Sequence, residues 1–252
     1  MESIKELRKI CRRSDVTKPG ILVRIIRFFS IYFTWFFLHF KKFTANQLTV
    51  FSTVIFTAGV FCYIKGDYTW NIVGLLLVWI GIITDYSDGE MARYQRASLE
   101  KTNPNQFNKL QVQGTSLEGL THDIKYAVLF VSLALGNYSS FPYPMLLLCL
   151  GFAASMAEVL GRLTKLRYIH SILPIQTEKV YLAMSENKFY AKQNRLRKTI
   201  DKTFGGTTGI ATWLTLATLL DKVYLIVIFY GVLSSMVYLV LLYKQYKGFQ
   251  KL

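Results

Sequence analysis

Two carboxylates three residues apart, a glycine directly after the second and an arginine four residues beyond that glycine stand in the run Asp85-Tyr86-Ser87-Asp88-Gly89-Glu90-Met91-Ala92-Arg93. The run follows an apolar segment, Ile72 to Ile83. Acids at membrane depth are costly and mark sites of function. At about 100° per residue, Asp85, Asp88, Gly89 and Ala92 fall on one helix face. That face pairs two anionic oxygen donors with a patch almost bare of side chain, where a bulky ligand can lie against backbone. The plainer alternative is a helix end that carries scattered charges into the cytosol.

A second cluster follows in Gly114-Thr115-Ser116-Leu117-Glu118-Gly119-Leu120-Thr121-His122-Asp123. Glu118 and His122 are one turn apart and share a helix face. Thr115 or Ser116 can cap the start of that helix. A lone His is more often a satisfied polar residue, but this one follows a Glu and neighbours a two-acid helix. Asp85, Asp88 and Glu118 at similar depth require compensating positive charge, and a divalent metal is the readiest supplier. Lys125 lies one turn further and can contact phosphate or neutralise Asp123, of which the second is favoured. Glu158 has Arg162 four residues on as its expected partner.

The elements that must position these groups are apolar helices. Of 252 residues, 52% are hydrophobic, 15% aromatic and only 18% charged, with a mean hydropathy of +0.29. This composition predicts an all-α integral membrane protein. The net charge of +15 sits between apolar segments, not along one soluble face, which argues against nucleic acid and for anionic lipid and anionic substrates. Cys11, Cys62 and Cys149 are an odd, scattered set without metal spacing, so no disulfide framework is expected. The first 20 residues are polar and basic and lack a cleavable signal pattern.

A membrane helix needs about 20 mostly apolar residues, which places six spans near 46–65, 69–93, 115–137, 143–163, 206–221 and 223–243. The stretch 21–40 carries Arg24 and Arg27 on one side and reads as an amphipathic helix lying in the interface; a seventh span is the competing reading. Basic residues concentrate before the first span and between the fourth and fifth, so both termini and the acid-bearing helix ends are expected in the cytosol. The segment Tyr190–Lys202 is expected to rest on anionic lipid. The expected organisation is a basic N-terminus with its interfacial helix (1–45), one membrane domain (46–243) and a tail (244–252).

The combined pattern resembles the CDP-alcohol phosphotransferase family of integral membrane enzymes, over roughly residues 20–243. The family signature runs D-x2-D-G-x2-A-R, about eight residues, then G-x3-D-x3-D. Its first half matches at Asp85, Asp88, Gly89, Ala92 and Arg93, and Asn46-Gln47-Leu48-Thr49 is similar to the motif that opens the family's first span. The second half departs. The spacer from Arg93 to Gly114 holds 20 residues, so a polar insertion near Thr102–Gln113 is expected to loop out. Glu118 stands for the third Asp and His122 for the fourth. An alternative register through Gly119 and Asp123 would put Ala127 at the last acid, so Gly114, Glu118 and His122 are preferred.

The resemblance implies a transferase that moves a phospho-alcohol from a CDP-linked donor to an alcohol acceptor, lipid or polyol, and releases CMP. It implies one or two Mg²⁺ or Mn²⁺ ions on Asp85, Asp88 and Glu118. Gly89 and Ala92 would then let the nucleotide pack, Arg93 would pair with its phosphates, and Gly114 would allow close approach. His122 can ligate a softer ion or act as general base, the role usually given to the fourth Asp, and the base is favoured. Arg162, Lys165 and Arg167 either hold an acceptor phosphate or flank the membrane as snorkelling cations. Donor identity stays open between CDP-diacylglycerol and a soluble CDP-linked group, to which Arg27-Phe28-Phe29-Ser30 gives a weak likeness. The family is often dimeric, so a homodimer is a possible assembly. The reading from another class is a transporter or scaffold that binds a cation; acids at one rim and the lack of related halves speak against it.

Overall fold

The computed structural model describes residues 3–11, 21–40, 43–99, 104–172 and 206–249. These form eight α-helices and no strand: α1 (Ile4–Cys11), α2 (Ile21–Leu38), α3 (Ala45–Cys62), α4 (Tyr68–Leu99), α5 (Pro104–Gly136), α6 (Pro144–Ile172), α7 (Gly206–Leu219) and α8 (Tyr224–Phe249). Four stretches, Ala45–Lys65, Tyr68–Ala97, Pro144–Arg167 and Tyr224–Tyr246, are long and apolar enough to cross a membrane. The Tyr190–Lys202 segment lies outside the described residues.

The chain divides into two compact units, Met1–Lys125 and Tyr126–Leu252. In the first, Thr44 starts α3 through a reciprocal capping box. Its hydroxyl accepts the Gln47 amide at 3.3 Å while the Gln47 side chain accepts the Thr44 amide at 3.0 Å. A 3₁₀ turn, Tyr63–Lys65, ends on Gly66 in the left-handed conformation (φ 74°), which an L side chain would strain. The reversed chain then lays α4 against α3 at backbone contact. A Cβ on Gly59 would sit 2.8 Å from the Gly74 carbonyl oxygen, and one on Gly74 would sit 2.6 Å from the Gly59 carbonyl oxygen. One turn pair further, a Cβ on Gly81 would meet Phe56 at 2.9 Å.

α2 joins α4 through a polar seam. Ser30 and Thr34 donate to the two oxygens of Glu90 at 2.9 and 2.8 Å, and Ser87 donates to the Ser30 carbonyl at 3.0 Å. α1 is tied down by Arg93 Nε donating to the Cys11 carbonyl at 2.8 Å, beside a small apolar cluster of Leu7, Cys11 and Ile31. In the second unit, α6 and α8 pack through small residues, with a Cβ on Gly231 meeting Leu150 Cβ at 2.8 Å. Ser234 donates to Glu158 at 2.7 Å across the same pair, so a hydroxyl on another helix reaches this acid.

Two local expectations are corrected. The polar segment expected to loop out is helical from Pro104 onward, continuous with the apolar part of α5. Proline suits a first helical position because its fixed φ is already helical and its missing N–H is not needed there, and no glycine or proline interrupts 105–113. Thr115 and Ser116 therefore lie inside the helix and do not cap its start.

The glycine contacts between α3 and α4 yield a stability prediction. Gly74→Ala gains helix propensity but drives a methyl into fixed backbone, and is expected to destabilise by about 1–3 kcal/mol. Gly161→Ala, whose added carbon would meet nothing closer than Tyr238 at 3.9 Å, is the control expected to hold or gain stability. Thermal unfolding in detergent compares them; equal midpoints would refute the close packing.

Candidate functional site

Three helices of the first unit contribute to one polar patch. The cap at Thr44 sets the phase of α3, which carries Thr49 and Ser52 on the side facing α4. Ser52 Oγ lies 3.4 Å from Asp85 Oδ1, and Thr49, whose hydroxyl donates to the Ala45 carbonyl at 3.1 Å, lies beside Asp88. Both hydroxyls sit three residues apart inside an otherwise apolar span, so they share a face.

The strongest contact of the patch comes from α5. Lys125 Nζ lies 2.5 Å from Asp85 Oδ1; its side chain is 4% exposed and that of Asp85 33%. The same ammonium sits 5.8 Å from the centroid of the Phe56 ring, within cation–π range. A buried ammonium is stable as a cation only when paired and hydrogen-bonded, and Asp85 meets that need. This corrects the sequence expectation, in which Lys125 neutralises Asp123. Residues two apart on a helix project to opposite sides, so those two groups do not face each other.

Asp88 lies within electrostatic range of Asp85, Lys125 and Glu118. The three expected metal-ligand carboxylates thus share one field, with Glu118 exposed at its edge and His122 half-buried one turn further along α5. Among the described residues, no three His, Cys, Asp or Glu side chains close into a metal-binding group. One physical reason is visible: the ammonium of Lys125 already compensates an Asp85 oxygen. The donor set itself, three carboxylates without a soft ligand, suits a hard divalent cation such as Mg²⁺ or Mn²⁺.

The bare patch is real at Gly89. A carbon added there would meet only the Arg93 guanidinium, at 3.4 Å. Arg93 therefore flanks this patch while its Nε is committed to the Cys11 carbonyl. Ala92 is half-buried and packs beside Ala45, Leu48 and Met91. A carbon on Gly114 would meet Asn46 Oδ1 at 3.8 Å and Arg96 at 3.9 Å, so this glycine faces polar tips and not backbone. That contact draws Asn46 of the Asn46–Thr49 motif toward the turn that bears Glu118. Arg162, Lys165 and Arg167 lie on α6 in the second unit, the last two exposed.

Sequence reasoning passed over Ser52, gave Lys125 a different partner, and met Thr49 only as the end of the Asn46–Thr49 motif. Their signal is legible in retrospect. Each is a hydrogen-bonding or charged side chain in an apolar helical stretch, at the spacing that faces a neighbour.

Removing the ammonium is expected to expose the electrostatic cost of the patch. Lys125→Met leaves Asp85 beside Asp88 without its counter-charge, and should lower stability by no more than about 3 kcal/mol, because Asp85 keeps partial solvent access. Adding Asp85→Asn should restore most of the loss. Denaturant unfolding of both single variants and the double variant measures the coupling; additive losses would show that the pair contributes nothing.

Comparison with known proteins bears on α3, the turn and α4. No curated protein and no solved structure matches the chain. Residues 42–99 match the family model for CDP-alcohol phosphatidyltransferase, a stretch that contains Asn46–Thr49 and the whole Asp85–Arg93 run. The match agrees with the resemblance read from those residues. Together with the four apolar helices, the match points to an integral membrane protein that is similar over these residues to CDP-alcohol phosphatidyltransferases.

Proposed function

We propose that this protein transfers a phospho-alcohol from a CDP-linked donor to the hydroxyl of a second alcohol, with release of CMP. The observation that carries the reading is the run Asp85–Arg93, which lies within the family-matched residues and has Ser52 of the facing helix 3.4 Å from Asp85 and Thr49 beside Asp88. The membrane domain is read as 46–243 with six spans, preceded by the interfacial helix α2. Both termini and the site face the cytosol, in keeping with the basic residues that flank this side.

Asp85, Asp88 and Glu118 would hold one or two Mg²⁺ or Mn²⁺ ions. Such an ion, when bound, offsets charge on the phosphates of the donor. Lys125 must release Asp85 for that carboxylate to serve as a ligand, or else remain as the counter-charge for one oxygen. The bare surface at Gly89 leaves room for the nucleotide against α4, and the side of Arg93 that faces Gly89 offers N–H donors to its phosphates. Gly114 keeps the opposite wall open. His122, an imidazole whose ordinary pKa lies near neutrality, is suited to take the acceptor proton as its oxygen attacks phosphorus. Arg162, Lys165 and Arg167 are proposed to hold an acceptor that carries phosphate. The donor, CDP-diacylglycerol or a soluble CDP-alcohol, and the acceptor, lipid or polyol, are to be identified by assay. A homodimer fits the same reading.

Purified protein supplied with a panel of CDP-alcohols should release CMP only when Mg²⁺ or Mn²⁺ is present, and Asp88→Asn should lower kcat by about 10²-fold or more. No release from any donor would favour a cation-binding scaffold or transporter instead. His122→Gln separates two roles of the imidazole. A base predicts loss of transfer, by about 10²–10⁴-fold, with CDP and metal binding retained. Loss of metal binding in that variant would make His122 a ligand.

A further inference from the structure

Helix α1 is too short to stand alone. Isolated helices below about 12–15 residues are marginal in water, and α1 has 8. Its start is closed by a reciprocal capping box. The Glu6 amide donates to Ser3 Oγ at 3.3 Å, and the Ser3 amide donates to Glu6 Oε2 at 2.8 Å. Its end is closed from another helix. The last carbonyls of a helix lack a donor of their own and carry partial negative charge, and the Cys11 carbonyl receives the Nε–H of Arg93 at 2.8 Å. Cys11 Sγ donates in turn to the Glu90 carbonyl at 3.3 Å on the same stretch of α4.

The apolar anchorage of α1 is narrow. Among its described residues, Leu7 and Cys11 are the buried ones, one turn apart, and they meet Ile31 of α2 with Tyr94 of α4 at the margin. The Arg8 guanidinium lies over the rings of Phe28 and Tyr32. Beside these contacts α1, α2 and α4 line a cavity of about 410 Å³, whose wall carries Arg8, Lys9, Arg24, Arg27 and Arg93 with Glu90. An element held by so few buried contacts can open locally while the rest stays folded.

Arg93 links this small helix to the carboxylate-bearing surface. A guanidinium is a rigid planar fork, so a bond at Nε restricts where its two terminal nitrogens point. Here they lie toward Gly89, where an added carbon would meet Nη1 at 3.4 Å and Nη2 at 3.9 Å. We propose that α1 is a positioning element for the donor site. Docked, its Cys11 carbonyl holds Arg93 by Nε with Nη1 and Nη2 turned toward the donor phosphates over Gly89; undocked, it frees the side chain of that restraint and weakens donor binding. The step to the donor rests on the function proposed above, whereas the docking of α1 on Arg93 does not. Leu7 acts only through Arg93 and is a positioning residue. Coupling between sites is reciprocal, so a bound nucleotide also keeps α1 docked.

The test uses the full chain in detergent, with the buried Cys11 thiol as reporter and peptide mass spectrometry as readout. N-ethylmaleimide should label Cys11 at least about tenfold more slowly than in the same protein unfolded in sodium dodecyl sulfate. Leu7→Asp, which puts a charge into the buried contact, and Arg93→Met, which removes the Nε donor, should each speed that labelling at least about fivefold, and Leu7→Met should not. Labelling of the unaltered protein at the unfolded rate, or no change in Arg93→Met, overturns the docking. In the transfer assay Leu7→Asp should raise KM for the CDP-linked donor at least about fivefold with kcat within about twofold, and Leu7→Met should restore the unaltered values. An unchanged KM with Cys11 exposed, or a fall in kcat alone, overturns the positioning role. Should Leu7→Asp fail to fold, the unaltered protein decides: CDP with Mg²⁺ should slow Cys11 labelling at least about threefold, and unchanged labelling overturns the coupling. Absence of CMP release from the unaltered protein overturns the transferase reading and with it the donor role of α1, while the labelling still decides whether Arg93 holds α1.

Discussion

An ammonium buried beside a carboxylate organises the first unit. Lys125 is nearly sealed from solvent, and such a cation persists only where a counter-charge and a hydrogen bond wait for it. Asp85 supplies both, and the contact ties α5 to α4 at one defined height. The phase of α5 follows from that contact. With Lys125 against Asp85, Glu118 falls within the field of Asp88, and Gly114 falls opposite Asn46. The same contact explains why the acids tolerate one another in a poorly solvated place before any ligand arrives.

Helix α4 is the shared spine. One face meets α3 through glycines at backbone distance, which brings Ser52 to Asp85 and Thr49 to Asp88. Another bears the acids and the bare surface at Gly89. A third carries Ser87 and Glu90 into a hydroxyl-lined seam with α2. Arg93 stands between the last two, with its Nε bonded to α1 and its tip beside Gly89. A single helix can carry different chemistry on different sides because successive residues turn by about 100°, so Asp88 and Arg93, five positions apart, project about 140° apart.

Much of this was legible along the chain. The period of the apolar residues marks the helices, and the Asp85–Arg93 run marks the face that carries chemistry, because both depend on spacing along one element. Glu118 and His122 fall on one continuous helix for the same reason. The length of α5 was not legible. A polar stretch reads as a loop by composition, yet nothing in 105–113 breaks a helix, and proline at its start favours one. The hydroxyl of Ser234, which meets Glu158 from a helix far along the chain, was not legible either.

By itself the sequence determined which residues are apolar, which helix faces carry acids, and that these acids match a family of membrane transferases over residues 42–99. Only the tertiary structure decided that Lys125 compensates Asp85 and not Asp123, that Ser52 reaches Asp85, and that five cations from three helices line one cavity. The physical reason is common to all three. Charge compensation and hydrogen bonding act through space at a few ångströms, and distance through space between helices is set by packing, which one-dimensional spacing does not contain.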